Sequence, residues 1–168
     1  MHRRSQTQAS AGARLLIGLV MAVFALISYF ASSQYNPVTG ETQFISMTPQ
    51  QEIALGLQSA PQMIQQFGGL YPDQEIQDLV DDVGVRIVEQ SFLTQQSPWQ
   101  FEFHVLDDPQ TVNAFALPGG QIFITTALLS QFDREDQLAG VLSHEIVHVL
   151  ARHGAQRLAK SELTNGLV

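Results

Sequence analysis

Five residues near the end of the chain combine two metal ligands with a general base: His144, Glu145, Ile146, Val147 and His148. Two histidines four positions apart on a helix lie about 40° from each other around its axis, so both imidazoles reach the same point. Two neutral imidazoles at one point can bind a zinc ion and leave room for further ligands and a water. Glu145 is then placed to take a proton from that water. The motif predicts metal-assisted hydrolysis.

The residues around this motif support a helix. Random placement of this composition would produce H-E-x-x-H only about 0.007 times per chain. Three acidic residues among 133–136 (Asp133, Glu135 and Asp136) predict an acidic cap and first turn. From Leu138 to Ala151 the segment is apolar nearly all the way round, which predicts a buried helix. Buried histidines and a buried glutamate need partners, and a metal supplies them. The alternative is a core helix whose histidines find ordinary hydrogen bonds.

Two longer blocks carry a family resemblance: Asn113-Ala114-Phe115-Ala116-Leu117-Pro118-Gly119-Gly120 and His144-Glu145-Ile146-Val147-His148-Val149-Leu150-Ala151-Arg152-His153. They resemble the HtpX and CAAX-prenyl-protease-like family of membrane-associated zinc metallopeptidases, and the likeness extends over roughly residues 48 to 160. The resemblance implies a zinc endopeptidase of protein substrates with one Zn²⁺ per chain. It implies His144 and His148 as metal ligands and Glu145 as the general base.

A third protein ligand is missing from the pattern. In the family that resemblance points to, a glutamate from a later helix completes the site, and the sequence ends at Val168. On a continuing helix, His153 would lie about 140° round from His148 and point elsewhere. Glu162 would lie about 21 Å from His148 along the axis of such a helix. We therefore interpret 48–168 as the N-terminal part of a truncated metallopeptidase domain. The alternative function is a catalytically incompetent fragment that only binds clients, or binds zinc weakly.

The distribution of charge predicts a membrane anchor. Arg3, Arg4 and Arg14 precede an uncharged stretch, and all 16 acidic residues follow it against only five Lys and Arg. Residues 15–31 form an apolar run of about 26 Å as a helix, enough to cross a hydrocarbon core. The basic segment 1–14 predicts a cytoplasmic N-terminus. Together with the resemblance, this predicts a single-pass protein of a bacterial inner membrane with its catalytic domain in the periplasm.

A cleaved signal peptide is the competing interpretation of residues 15–31. Small residues at 31–33 would suit cleavage and release into the periplasm. The acidic remainder excludes a nucleic-acid partner, which requires a basic surface. The absence of cysteine excludes disulfides and a thiol lipid anchor. The resemblance further suggests quality control of misfolded envelope proteins, while the oligomeric state stays open.

The predicted elements define an α+β fold with a zincin-like core: N-terminal helices, a small sheet and the active-site helix. Residues 32–47 are polar, contain turn signals and are interpreted as a linker. Helices are expected at 48–67, with a Thr48/Gln51 capping box, and from Asp73 to about Phe92. Alternating apolar residues predict a strand at 99–105, followed by a strand, tight turn and strand over 113–125.

Polar residues outside the motif have simpler interpretations. The carboxylates of Asp107 and Asp108 precede a proline and predict a turn, and His104 is expected on a strand surface. The acidic group between Asp73 and Asp82 is expected to be the solvated side of a helix. The resemblance suggests that an edge strand containing Asn113, Ala114 and Phe115 binds extended substrate, although an ordinary core hairpin fits the same residues.

Overall fold

The computed structural model describes residues 11–166 of the chain, and the side chains of residues 12–164. The first ten residues of the basic segment predicted at 1–14 lie outside the described part. The elements are, in chain order, α1 (Ala11–Ala31), β1 (Ser33–Asn36), β2 (Glu41–Phe44), α2 (Pro49–Gln66), α3 (Gln74–Gln90), α4 (Phe92–Gln95), β3 (Glu102–Leu106), β4 (Ala114–Ala116), β5 (Gln121–Thr125), α5 (Thr126–Leu129), α6 (Glu135–Leu150) and α7 (His153–Gly166).

Helix α1 has the length and composition of a membrane span. Its window Gly12–Ala31 has a mean hydropathy of 2.1, and none of that window is buried against the rest of the protein. A 20-residue helix of this kind covers about 30 Å, the thickness of a hydrocarbon core. The exposed apolar side chains include Leu16, Phe24 and Ile27. The helix is therefore compatible with membrane attachment.

The segment 32–47, interpreted as a linker, contains an ordered hairpin. Strands β1 and β2 pair antiparallel from Ser33↔Phe44 to Asn36↔Glu41. The turn signals of the sequence form the connection between the strands, and the polar side chains bind the end of α6. Asn36 Nδ2 donates to the carbonyl of Leu150 at 2.9 Å, and Gln43 Nε2 donates to that of Ala151 at 2.8 Å. These bonds satisfy carbonyls that the end of α6 leaves unpaired.

Helices α2 and α3 begin at the caps that the sequence predicts. Thr48 and Gln51 form the reciprocal capping box of α2. Asp73 Oδ1 accepts from the backbone N–H of Glu75 and so caps α3. The acidic residues of α3 are exposed, while Val80 and Val83 are buried. The interpretation of that acidic group as a solvated helix face is confirmed.

The sheet places β5 between two neighbours in the order β3-β5-β4. Strand β3 runs parallel to β5, and β4 runs antiparallel to it. All five residues of β5 are buried. The tight turn before β5 contains Gly119 and Gly120, with φ of 86° and 119°. Residues other than glycine rarely adopt this backbone conformation. A Cβ at Gly119 would also overlap the backbone of Ile53 in α2.

Helix α6 packs one face on the sheet and on α3 and leaves the other face open. Leu142, Ile146 and Val149 are buried in the main core, together with Val105 and Ile124 of the sheet. Val147 is 51% exposed, so the expectation of a helix buried on every side is wrong. The open face forms one wall of a cleft, and the α+β class is as predicted. The first turn of α6 is acidic as predicted, with Glu135 and Asp136, but its cap differs, since Gln137 Oε1 accepts from the N–H groups of Asp133 and Arg134.

Candidate active site

The structure brings His144, Glu145 and His148 together on the open face of α6. One potential ligand atom from each lies within 4.8 Å of the other two. The imidazole centroids of His144 and His148 are 4.5 Å apart, with the rings edge to face. His144 is exposed, His148 is half-buried, and Glu145 is only 7% exposed. This is the clustering that residues one turn apart on a helix should produce.

The face of α6 that carries the two histidines is held by contacts at both ends of the helix. Arg86 of α3 forms an ion pair of 3.0 Å with Glu135 in the first turn. The hairpin side chains of Asn36 and Gln43 bind carbonyls at the other end. Between them, the buried side of the helix packs on the sheet. The two imidazoles therefore project from a helix whose rotation is fixed.

The helix breaks directly after α6, and this overturns the expected position of His153. Arg152 adopts a left-handed backbone with φ of 57°, which ends the helix, and α7 begins at the next residue. His153 returns to His148, so that their Nδ1 atoms are 2.5 Å apart and their ring centroids 4.8 Å apart. The prediction that His153 points elsewhere was wrong because it assumed an uninterrupted helix. Burial, and then the nearby charges of His148, Arg157 and His144, lower the pKa of His153.

A buried ion pair holds the helix break at Arg152 in place. Arg152 Nε donates to Glu52 Oε1 at 2.8 Å, and its Nη2 donates to the same oxygen. The guanidinium also donates to Gln34 Oε1 at 2.6 Å and to the carbonyl of Met47 at 2.9 Å. Glu52 is 1% exposed. Burial raises the pKa of Glu52, whereas the hydrogen bond and the charge of Arg152 lower it.

Sequence reasoning did not find the pairing of Glu52 with Arg152. The only signals were a glutamate near the start of the helix predicted at 48–67 and an arginine after the helix predicted to be buried. Each is ordinary alone, because long charged side chains commonly reach the surface. Only the fold shows that the two residues, a hundred positions apart, complete each other.

A cleft of about 400 Å³ runs between α6 and strand β4. Its lining includes Glu145, the two motif histidines and residues 113–118. Strand β4 is at the end of the sheet order, and among the described residues no strand pairs with its outer edge. Both predicted components, the metal-binding face and the strand from Asn113 to Phe115, line the same cleft.

The hydrogen-bond pattern of β4 determines which of its backbone groups are free. Leu117 N donates to Gln121 O, and Thr125 N donates to Asn113 O. In an antiparallel pair, hydrogen-bonded positions alternate with non-bonded ones, so residues 113, 115 and 117 turn their backbone groups toward β5. Ala114 and Ala116 direct theirs to the open edge. Of the three predicted substrate-binding residues, only Ala114 therefore offers backbone groups to a bound strand.

Other polar residues considered from the sequence lie away from the cluster. Glu162 Oε2 accepts from Ser46 Oγ at 3.2 Å, beside α1. His104 stacks on Phe123 and contacts Gln121 Oε1 at 2.9 Å, as expected of a residue on a strand. Asp108 accepts hydrogen bonds from Gln110 and Thr111, which confirms the predicted turn. Among the described residues, neither Glu162 nor His104 supplies a third metal ligand.

The donor set at the cluster fits a zinc ion. Neutral imidazole nitrogen and carboxylate oxygen are ligand types that zinc takes in proteins. His144 and His148 would hold the ion, and Glu145 is close enough to act on a water beside it. The open side of α6 leaves space for a substrate. A catalytic zinc site needs such an open position.

Comparison with known proteins places the chain in a family. The model of peptidase family M48 matches residues 73–168, which include β3, β4, β5 and the H-E-x-x-H helix. The chain belongs to peptidase family M48. Helix α2 and the hairpin lie before the matched region, although Glu52 and Gln34 from them bind Arg152 inside it.

Relatives within this family occur in mitochondria and in bacteria. The chain is 31% identical over 144 residues to the mitochondrial metalloendopeptidase OMA1 of Schizosaccharomyces pombe, covering 84% of the chain and 42% of that protein. It is 28% identical over 153 residues to human OMA1, covering 89% and 28%. It is 30% identical over 149 residues to the beta-barrel assembly-enhancing protease of Escherichia coli, covering 87% and 28%. The chain thus spans less than half the length of these relatives.

Proposed function

We propose that this M48 chain carries the metal-binding and substrate-binding part of a zinc-dependent endopeptidase that acts on proteins at a membrane. The observation that carries the proposal is the cluster of His144, Glu145 and His148 on the wall of an open cleft. The relatives are named as metalloendopeptidases and a protease, which supports the same activity here. The finer resemblance to HtpX and CAAX-prenyl proteases stays a prediction, and the proposed activity does not depend on it.

Each group in the cleft has a chemical role in this proposal. A zinc ion held by His144 and His148 supplies Lewis-acid chemistry, since it acidifies water and polarises a carbonyl. The Glu145 carboxylate accepts a proton from the attacking water and later delivers it to the leaving amine. Glu145 is largely buried and lines the cleft beside the two histidines. A further protein ligand from outside the described residues remains a prediction.

Substrate binding is proposed to use the open edge of β4. An extended peptide would pair with the backbone groups of Ala114 and Ala116 and pass along the motif histidines. Backbone pairing favours unfolded segments of many sequences over one fixed sequence. This supports misfolded envelope or membrane proteins as the substrate class.

Helix α1 supports attachment to a membrane. The proposed orientation is a cytoplasmic basic N-terminus and a catalytic domain on the opposite face, which in a bacterium is the periplasm. Cleavage of α1 as a signal peptide would release the same domain on the same side. Mitochondrial relatives are equally compatible with a membrane-attached peptidase.

Replacement of Glu145 by glutamine tests the activity. Glutamine keeps the size of the side chain but cannot accept the proton, so hydrolysis of unfolded casein by the whole enzyme should fall by at least about 100-fold. Zinc content should stay near one per chain because both histidines remain. Normal turnover in the variant would refute the role of Glu145. Client binding without turnover in the unmodified enzyme would instead favour the binding-only alternative.

A further inference from the structure

We propose that His153 is a positioning residue for the metal site: its Nδ1 accepts the Nδ1–H of His148 and holds that imidazole with Nε2 directed at the metal. This inference deepens the proposed function and rests on it. The contact that carries it joins the last metal-binding residue of α6 to the first residue of α7.

The distance between the two rings distinguishes a hydrogen bond from a shared ion. Two nitrogens bound to one tetrahedral zinc at about 2.05 Å would lie about 3.3 Å apart. The Nδ1 atoms of His148 and His153 are 2.5 Å apart, a hydrogen-bond contact that is closer than two ligands of one zinc ion would lie. His153 therefore contacts His148 as a hydrogen-bond partner, and it is not a member of the group of potential ligands around His144.

The direction of this hydrogen bond follows from the chemistry of imidazole. A neutral imidazole carries one N–H and one free nitrogen, and the free nitrogen is the one that binds a metal. With Nδ1 of His148 occupied by His153, Nε2 is left as the metal-binding atom. Nδ1 of His148 must then carry the proton, so it donates and Nδ1 of His153 accepts. His153 in turn carries its own proton on Nε2.

The fold supplies this partner through the turn at Arg152. The left-handed backbone of Arg152 turns the chain so that His153 contacts His148. Hydrogen bonds from Arg152 to Glu52, Gln34 and Met47 fix that turn. His153 is the next residue and has little freedom to move away. The partner of His148 is thus positioned by contacts with α2 and with the hairpin, remote from the metal-binding face.

Such a partner should affect metal affinity more than folding. A hydrogen bond to the second nitrogen of a metal-bound histidine fixes the ring and its tautomer, and its loss typically weakens metal binding about 10- to 100-fold. His153→Phe keeps a ring of similar size and removes the acceptor. His153→Asn offers a side-chain carbonyl that can accept the same proton. His104→Phe is the matched control, because it makes the same chemical change on β3, away from the cluster.

The first measurement is Zn²⁺ affinity by competition with a chromophoric chelator, using the whole protein in detergent micelles and thermal unfolding to verify each variant. His153→Phe should bind Zn²⁺ about 10- to 100-fold more weakly. His153→Asn should recover most of the affinity, and His104→Phe should match the unmodified protein. Unchanged affinity in His153→Phe would overturn the inference. Failure of the unmodified protein to bind Zn²⁺ would instead refute the proposed function.

The second measurement needs no variant that alters the fold. Long-range ¹H–¹⁵N correlations of labelled histidines in the unmodified, Zn²⁺-loaded protein identify which ring nitrogen carries the proton. His148 should be protonated at Nδ1 and His153 at Nε2. Protonation of His148 at Nε2 would overturn the inference even if His153→Phe failed to fold.

Discussion

Arg152 and Glu52 form a buried ion pair across a hundred residues of sequence, linking the end of α6 to α2. The pair is nearly closed to solvent, with side chains 10% and 2% exposed. Arg152 also lies 5.7 Å from the centre of the Trp99 ring. Each partner of such a buried pair is needed for the stability of the fold, because removing one leaves the other charge buried without a partner.

Breaking the pair from either side should destabilise the fold. Glu52→Ala leaves the guanidinium without its main acceptor, and we expect a loss of about 3–5 kcal/mol in the free energy of unfolding. Arg152→Ala should cost a similar amount, and the double variant should lose clearly less than the sum. Denaturant unfolding of the four proteins of this cycle measures the coupling. Additive losses would show that the two side chains do not stabilise each other.

The pH dependence of stability in Arg152→Gln should reveal the direction in which the pKa of Glu52 is shifted. Burial already raises the pKa of Glu52, and loss of Arg152 removes the interactions that lower it, so the pKa should rise further. A carboxyl with a raised folded pKa contributes stability below its unfolded pKa of about 4.3, and this contribution is lost as the pH rises through the folded pKa. The deficit of Arg152→Gln against the unmodified protein should therefore grow from pH 4.5 to pH 7.

The control for this pH series removes the titrating group. Glu52→Gln and the double variant Glu52→Gln/Arg152→Gln have no carboxyl at this position, so their deficits should lack that growth. Urea unfolding at pH 4.5, 5.5 and 7 measures all four proteins. A deficit of Arg152→Gln that shrinks as the pH rises would contradict the assignment.

Proline substitutions along β4 should separate substrate binding from folding. The N–H of Ala116 faces the open edge, so Ala116→Pro should leave the sheet bonds intact and lower kcat/KM about 10-fold or more, through the lost hydrogen bond to substrate. The N–H of Leu117 donates to Gln121 O, so Leu117→Pro should instead lower thermal stability. Leu117→Ala measures the part that comes from the side chain. Full peptidase activity in folded Ala116→Pro would rule out pairing at that edge.

The assignment of the metal ligands predicts a difference between histidines. His144→Ala and His148→Ala should each lower Zn²⁺ affinity by at least about 100-fold, while His104→Ala should bind normally. Metal bound only by the folded state raises the unfolding temperature, so chelation should lower the melting temperature of the unmodified protein. The two ligand variants should be insensitive to the chelator. Equal Zn²⁺ affinity in all three histidine variants would place the metal elsewhere.

Local features of the sequence predicted much of the fold. The Thr48 and Gln51 pattern located the start of α2, and Gly119-Gly120 located the turn between β4 and β5, because caps and tight turns depend on a few adjacent residues. The spacing of His144 and His148 likewise predicted their proximity, since one helical turn determines it.

The features that were missed depend on distant contacts. The segment after α6 has no proline, and its first glycine, Gly154, comes after the break, so a continuing helix was the natural expectation. The helix ends at Arg152 because Glu52 and the hairpin hold that residue. The hairpin escaped prediction for a related reason, since its polar strands gain stability from the carbonyls of Leu150 and Ala151. Periodicity and propensity report local order and cannot show these partners.

The hairpin has a consequence for where the proposed peptidase would cleave its substrates. It follows α1 directly and binds the end of α6, so among the described residues no long flexible segment separates the proposed anchor from α6. With α1 in a bilayer, the fold would fix the distance between the proposed cleavage site and the lipid surface. Polypeptides would then be sampled in a thin zone near the lipid, and clients farther out would go uncut.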